Sequence, residues 1–382
     1  MDTPTPTRML FVDNVRLTLI VLVVCMHAAV TYSGLGSWYY KETLPLDTAS
    51  RLFFICFQGF LQAFFMGTLF ALAGYFAAQA LKKKGPKAFV LGRAWRLGLP
   101  SLLYMLAINP FIVFWLVNVR DVRSKMGFFE YFGQYLSSGR VLAGTGPMWF
   151  AVALLVFCLV YAGVMATRPG LGTGKEPRPF TWRLVLSLIA VCAAGSYSVR
   201  IVRPIGTSVL NMQLCFFTQY VILFLFGIAA QANDWLRTLP ERFGRTCLAV
   251  VLAGLPVLAA FLYYGGGLGE SLPDFLGGGH WKSLVFALWE AMTGVCMTVG
   301  LVWLCREKWN VQGALTGALT DGAFAVYVFH PPILIALSLW LAPLPFAAVP
   351  KFLTVSAVAL PVCFAVAHML RKVPVLRDLL SA

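Results

Sequence analysis

Two histidines lie deep inside apolar segments of the chain. His27 falls in the run FVDNVRLTLIVLVVCMHAAV, residues 11–30, and His330 falls in AFAVYVFHPPILIA. An imidazole accepts and donates protons near neutral pH, so it can act as a general base, a nucleophile or a member of a proton relay. Polar groups in hydrocarbon are costly and tend to line functional cavities. The two histidines are therefore the first candidates for chemistry.

Three more charged residues have positions that favour a function. Glu290, within FALWEAMTG, is the only carboxylate well inside an apolar run. A lone buried carboxylate is usually paired or protonated, so we expect an interior His or Arg as its partner and either an active or a structural role. Arg93 and Arg96, in RAWRLGLP, are three residues apart. One helical turn would present both guanidiniums on the same side, which suits a bidentate grip on phosphates.

The composition indicates that these residues work inside a bilayer. Of the 382 residues, 59% are hydrophobic and 12% are charged, whereas soluble domains carry roughly 25% charged residues. The net charge of +15 would favour a nucleic-acid partner in a soluble protein. Here most basic residues fall in short loops beside apolar spans, so the charge indicates membrane topology, and we predict no nucleic-acid partner.

Runs of about 20 apolar residues predict an all-α integral membrane protein of ten transmembrane helices. One bundle and one domain, residues 1–382, account for the chain. Because the count is even, both termini lie on one side, and the loops of that side hold 20 of the 30 Lys and Arg. The positive-inside rule then places both termini in the cytoplasm. The predicted spans are 13–33, 52–81, 97–119, 147–166, 182–200, 211–231, 246–264, 282–304, 319–341 and 350–370.

The two histidines are predicted to lie at the same depth. His27 follows Arg16 by eleven residues, which places it roughly 16 Å above an arginine that can reach the cytoplasmic interface. His330 is about as far from the cytoplasmic start of its own span. Each histidine alone could make a structural hydrogen bond between helices. Two at matched depth favour a shared functional cavity.

The remaining sequence features limit the kinds of site. The nine cysteines lie in or at the ends of apolar spans and form no CxxC pair, which argues against a disulfide framework and a zinc site. We predict no metal and no permanently bound cofactor. The longest loop on the outer side, 120–146, interleaves aromatic residues with Arg and Glu. It is either an interfacial helix or a lid over an external cleft.

The arrangement resembles the type 3 membrane acyltransferase superfamily. Its hallmark, an Arg or Lys in the first span with a His eleven positions on, is similar to Arg16 and His27. Its second mark, Arg-x-x-Arg at the inner mouth of the third span, is similar to Arg93 and Arg96. Within the superfamily, the likeness is nearest to the members that modify periplasmic glucans. It extends in order through FVDNVR, VTYSG, ALAGYF, RAWRLGLP, GPMWF, VYVFHPP and KVPVLRDLL, which together span nearly the whole chain.

The resemblance implies a multi-pass acyltransferase of the bacterial inner membrane. It would move an acetyl-class or succinyl-class group from cytoplasmic acyl-CoA to a hydroxyl of a periplasmic or cell-surface glycan or related acceptor. Arg16, Arg93 and Arg96 would bind the phosphates of the donor. His27 would be the base, with an acyl-histidine intermediate as the less favoured alternative. The other candidates are Glu290 and His330 for catalysis, and Asp13, Trp149 and Tyr327 for orientation.

A secondary transporter is the rival interpretation. Ten spans interrupted by Pro and Gly, with buried polar residues, also describe such a protein, and His27, His330 and Glu290 would then form a proton relay. The sequence shows no inverted repeat and few carboxylates within its spans. The enzyme is therefore the favoured reading.

Overall fold

The computed structural model describes residues 8–117, 126–168 and 176–380, and this part of the chain is helical and contains no strand. Residues 120–125 of the predicted outer loop and 169–175 of the predicted 167–183 loop lie outside the described residues. The α-helices are α1 Leu10–Ser33, α2 Thr48–Arg93, α3 Leu99–Leu103, α4 Asn109–Phe111, α5 Phe128–Ser137, α6 Trp149–Thr167, α7 Trp182–Val202, α8 Phe217–Ala232, α9 Trp235–Thr238, α10 Glu241–Tyr264, α11 Leu272–Leu276, α12 Trp281–Lys308, α13 Ala314–Leu341, α14 Ala348–Leu370 and α15 Pro374–Leu379.

Nine helical stretches of the described chain are long and apolar enough to cross a membrane, which makes this a multi-pass membrane protein. One of them, Thr48–Leu116, has 69 residues, although about 20 are enough to cross. Gly85 interrupts it with a φ of 75° and a ψ of 166°, values outside the helical region that glycine adopts without steric cost. This break lies between the predicted second and third spans, so the nine stretches of the described chain correspond to the ten predicted spans, with two of those spans in one stretch.

The third span is an irregular helix. Short α segments alternate with π-helical turns at Ala94–Gly98, Tyr104–Ile108 and Ile112–Val117. π turns inside α-helices are rare and are frequent at functional sites. Pro100 and Pro110 lie within this span, and each removes one backbone N–H from the hydrogen-bond ladder.

Two helices approach closely at the centre of the bundle, where α2 packs along α8. A Cβ atom on Gly74 would lie 2.1 Å from the carbonyl oxygen of Phe224, and one on Gly227 would lie 1.9 Å from that of Ala71. Small residues let membrane helices pack backbone to backbone. Glycine is therefore required at both positions of this crossing.

Hydrogen bonds and ion pairs between the loops show which loops lie together at each end of the bundle. At one end, Arg8 lies 3.3 Å from Asp321, and Asp321 lies 3.9 Å from Arg371. The same end holds the start of α1, the turn at Gly85 and the end of α14, and we call it the basic face. At the opposite face, Lys351 pairs with Glu42. This division matches the two sets of loops predicted from the Lys and Arg distribution.

The predicted start of the sixth span was wrong by several residues. The span was expected to begin at residue 211, but α8 begins at Phe217 after a 3₁₀ turn, Leu214–Phe216. Asn211 has a φ of 65° and lies in the preceding loop. Its side-chain Nδ2 donates to Oγ1 of Thr145 at 3.1 Å. This polar residue therefore joins two loops at the opposite face instead of lining the bundle.

Candidate active site

His27 and His330 meet in the bundle interior, as their matched depth predicted. His27 is on α1 and His330 is on α13, and Nδ1 of His27 lies 3.1 Å from Nε2 of His330. The ring centroids are 5.0 Å apart and the ring planes differ by 26°. His330 is completely buried, whereas His27 is partly exposed. Of the two, His27 is the more accessible histidine.

The hydrogen bonds of His330 determine where the protons of the neutral pair lie. Nδ1 of His330 lies 3.2 Å from the carbonyl oxygen of Val326 and 2.9 Å from that of Tyr327. Carbonyl oxygens only accept, so this nitrogen carries the proton and Nε2 carries the lone pair. Nδ1 of His27 must then donate to that lone pair. The lone pair of His27 is left on its Nε2, which is the nitrogen available as a base.

Trp38 covers the histidine pair, a contact that sequence reasoning missed. Its ring stacks on His27 with centroids 3.9 Å apart and planes 22° apart. It is also nearly parallel to the ring of His330, at 6.0 Å and 9°. The only sequence feature that pointed to Trp38 was the aromatic triplet WYY after the first span. Aromatic residues are common at membrane interfaces for other reasons. The tertiary fold was needed to single out Trp38.

The segment that carries Trp38, residues 34–47 between α1 and α2, is attached to other helices at two residues that follow Trp38. Tyr39 donates its hydroxyl proton to Oδ1 of Asn109 at 2.6 Å. Glu42 forms an ion pair with Lys351, whose side chain is only 2% exposed. These contacts hold the indole ring over His27 from the opposite face of the bundle.

Tyr327 and Trp149, the two predicted orienting residues, both make contacts with other aromatic rings. The Tyr327 hydroxyl donates to the carbonyl oxygen of Pro147, and its ring centroid lies 6.4 Å from that of His330. Trp149 stacks on Tyr220 with centroids 5.8 Å apart. Tyr327 therefore contacts the histidine pair directly. The ring contacts of Trp149 in the described structure are with other aromatic residues and not with either histidine. The orienting roles of both residues stay predictions.

Glu290 pairs with an arginine, one of the two partners expected from the sequence. That arginine is Arg200. The side chain of Glu290 is 3% exposed and that of Arg200 is 0% exposed. The guanidinium of Arg200 also lies between the rings of Phe216 and Phe286, at 5.4 and 5.7 Å. Sequence reasoning missed Arg200 because it falls at the end of a span, where a basic residue normally reflects topology. In the described part of the chain, no hydrogen bond or ion pair joins Glu290 to either histidine.

The predicted arginines gather at the basic face. Asp13 lies 2.5 Å from Nε of Arg8 and 3.7 Å from Arg16, and its orienting role stays a prediction. The positive charges of Arg8 and Arg93 both act on Arg16, and that of Arg96 acts on Arg93. In the described part of the chain, the carboxylates that pair with these arginines are Asp13 and Asp321, so an excess of positive potential remains. Such a site attracts anions.

The turn between Arg93 and Arg96 differs from the α-helical turn that was expected. Arg93 ends α2, and Arg96 lies in the π turn Ala94–Gly98. The guanidinium of Arg93 lies 5.3 Å above the ring of Phe89 and is half-buried, whereas Arg96 is exposed. Within the described residues, neither arginine forms an ion pair with a carboxylate. Both guanidiniums thus keep donors for an external anion.

Comparison with known proteins relates the whole chain to acyltransferases. A sequence profile described as an acyltransferase domain matches residues 9–368. The chain is 24% identical to the glucans biosynthesis protein C of Salmonella gallinarum over 360 residues, which cover 89% of this chain and 85% of the relative. The chain is 23% identical to the protein of the same name from Salmonella paratyphi B, also over 360 residues that cover 89% of this chain and 85% of the relative. No solved structure matches the chain.

Proposed function

The chain belongs to the acyltransferase domain family, and on that premise we propose that it transfers an acyl group from acyl-CoA at the basic face to a hydroxyl of a glycan at the opposite face. The acyl group is of the acetyl or succinyl class. The basic face lies in the cytoplasm and the protein resides in a bacterial inner membrane. The one observation that carries the proposal is the His27–His330 hydrogen bond, which leaves Nε2 of the accessible histidine free as a base.

The arginine cluster supports acyl-CoA as the donor. Coenzyme A carries several phosphates, and Arg16, Arg93 and Arg96 offer guanidiniums that are suited to bind them. Arg16 and His27 lie on the same continuous helix, α1, roughly 16 Å apart along its axis. The pantetheine arm of coenzyme A is long and thin, so a thioester anchored at the arginines would extend into the bundle towards the histidine pair.

The relatives support a glycan as the acceptor. Their name refers to glucan biosynthesis, and a glucan presents many hydroxyl groups. Family membership also favours the enzyme over a transporter, the rival suggested by the buried histidines and Glu290. The charge of Glu290 is already matched by that of Arg200, so we assign the base to His27 and a structural role to Glu290.

The proposed chemistry is a direct transfer with His27 as the general base. Nε2 of His27 accepts the proton of the acceptor hydroxyl while the hydroxyl oxygen forms a bond to the thioester carbonyl carbon. The tetrahedral intermediate re-forms its carbonyl and breaks the C–S bond. The thiolate of coenzyme A leaves and takes the proton from Nε2, which restores the neutral imidazole. His330 keeps its hydrogen bond to Nδ1 of His27 throughout and holds the ring in this tautomer.

A coupled binding and turnover assay tests the function. The purified protein, in lipid nanodiscs, is given acetyl-CoA or succinyl-CoA, and free coenzyme A is quantified by chromatography with and without an oligosaccharide acceptor. We expect binding and slow hydrolysis of at least one donor, faster when the acceptor is present. His27→Gln keeps hydrogen-bonding capacity but cannot act as a base at neutral pH. It should lose turnover by roughly 10²–10⁴-fold.

Two results would contradict the proposal. A wild-type protein that binds neither thioester would remove acyl-CoA as the donor. A well-folded His27→Gln protein with normal turnover would remove His27 from the mechanism. His368→Gln is the matched control, because this histidine lies at the end of α14, near the basic face, and has no part in the proposed step.

A further inference from the structure

The indole N–H of Trp38 is buried beside the histidine pair and has no hydrogen-bond partner among the described residues. The Trp38 ring stacks on His27 at a centroid distance of 3.9 Å. Buried donors in folded proteins are almost always paired, because leaving one unpaired costs much of its lost hydration. An unpaired donor next to the proposed base is available to a partner that arrives with the substrate.

The other donors around His27 are already engaged. Nδ1 of His330 donates to backbone carbonyls, and Nδ1 of His27 donates to His330. The Tyr327 hydroxyl donates to the carbonyl oxygen of Pro147, and the Tyr39 hydroxyl donates to Asn109. Of the aromatic side chains whose rings lie against the two imidazoles, Trp38 is the one whose donor is still free in the described structure.

We propose that the Trp38 indole N–H is the hydrogen-bond donor to the oxyanion that forms during acyl transfer. The inference rests on the proposed function, since it requires a thioester at His27. When the acceptor oxygen bonds to the carbonyl carbon, the C=O electron pair moves onto the carbonyl oxygen and the hydroxyl proton moves to Nε2 of His27. The negative oxygen then accepts the indole N–H. When the C–S bond breaks, the electron pair returns and the hydrogen bond weakens.

The ring that carries the base and the ring that carries the donor are stacked on each other. The lone pair of Nε2 lies in the plane of the imidazole, and the N–H bond lies in the plane of the indole. The two planes are 22° apart and the centroids are 3.9 Å apart. The oxygen that loses a proton and the oxygen that gains charge are bonded to the same carbon, so a base and a donor on neighbouring parallel rings suit one tetrahedral centre. Donors fixed before the reaction need no reorganisation when the charge develops.

The attachment of the 34–47 segment supports the same role. A donor stabilises an oxyanion only if its position is fixed, and Tyr39 and Glu42, which follow Trp38, are both bonded to other helices. Trp38 thus lies between the end of α1 and two anchored residues that come within four positions after it. This is the arrangement expected of a residue whose donor must be fixed.

Trp38→Phe tests the proposal, with Trp303→Phe as the matched control. Phenylalanine keeps an aromatic ring over His27 but has no N–H. Trp303 on α12 is also buried, and its indole N–H also has no partner in the described residues, but its ring packs against Gly244 of α10, away from the histidine pair. Removing one oxyanion donor lowers kcat by roughly 10²–10³-fold. We expect that loss in Trp38→Phe and not in Trp303→Phe.

The separation of kcat from binding distinguishes an oxyanion donor from a packing residue. The donor acts only on the developing charge, so Trp38→Phe should bind a non-hydrolysable thioether analogue of acetyl-CoA with unchanged affinity. A loss of affinity with unchanged kcat would overturn the proposal, as would a kcat equal to that of Trp303→Phe. If Trp38→Phe does not fold, benzothienylalanine at position 38 replaces the N–H by sulfur in a ring of the same shape, and the same loss is expected.

The outcome also separates this inference from the proposed function. If His27→Gln is inactive while both Trp38 variants turn over normally, the function stands and the oxyanion role of Trp38 is wrong. If His27→Gln turns over normally, His27 is not the base, and the Trp38 role, which depends on that base, is wrong with it. If the wild-type protein binds neither thioester, the proposed function itself is wrong.

Discussion

Nε2 of His330 lies 3.1 Å from Nδ1 of His27, so a single hydrogen bond joins side chains that are 303 positions apart in the sequence. Since both nitrogens of His330 are occupied, this residue cannot also take a proton from a substrate. It acts through His27 by fixing which nitrogen of that ring carries the lone pair. We therefore propose His330 as a positioning residue and His27 as the catalytic one.

Replacing His330 should lower turnover in a graded way. His330→Leu removes the acceptor for Nδ1 of His27 and frees the ring to adopt the other tautomer, so we expect kcat to fall by about 10²-fold or more. His330→Gln can still accept through its amide oxygen and should retain more activity. Both variants should bind acyl-CoA as the wild type does, measured by isothermal titration calorimetry. Equal loss in the two variants would show that His330 has a role other than as an acceptor.

The arginines of the basic face should determine donor affinity. Arg93→Ala or Arg96→Ala should weaken acyl-CoA binding by roughly 1.5–3 kcal/mol each, because each removes charged hydrogen bonds to phosphate. Lys83→Ala removes an exposed charge at the end of the preceding span and should change affinity little. Titration of each purified variant with acetyl-CoA measures the difference. Three equal affinities would mean that these arginines serve only membrane topology.

The contributions of Arg200 and Glu290 to the stability of the protein should be coupled. Arg200→Met or Glu290→Gln alone should each destabilise the protein by about 3–5 kcal/mol, because each leaves one buried charge unpaired. The double variant should lose less than the sum of the two. Unfolding in mixed micelles measures this coupling, and the exposed Arg245–Glu241 pair is the control, worth only about 0.3–0.5 kcal/mol. Additive losses in Arg200 and Glu290 variants would show that the pair is not coupled.

The positive-inside rule makes a direct prediction about sidedness. Single cysteines at Lys84 and Ser137, introduced in a cysteine-free background, should react differently with a membrane-impermeant maleimide in intact spheroplasts. We expect labelling at residue 137 and none at residue 84 until the membrane is opened. Labelling of residue 84 in intact spheroplasts would place the basic face, and with it the arginine cluster, on the wrong side for cytoplasmic acyl-CoA.

The helical class, the number of spans and several candidate site residues could be predicted from the sequence pattern alone. Apolar runs of bilayer length fixed the helical class and the number of spans, because a chain in hydrocarbon must satisfy its backbone hydrogen bonds within each helix. The eleven-residue interval between Arg16 and His27 placed the histidine inside the membrane, since helix rise per residue is constant. The cost of a polar group in hydrocarbon singled out His27, His330 and Glu290 as residues that need partners.

Only the tertiary structure decided which partners they have. Periodicity gives the depth of a residue but not the neighbouring helix that it faces, so the partner of Glu290 was open until Arg200 was seen beside it. Helix rise placed His27 and His330 at one depth, but the 3.1 Å contact and its proton arrangement depend on how α1 packs against α13. Trp38 lies in a loop without periodicity, and its position over His27 follows from distant contacts of that loop, which no local pattern records.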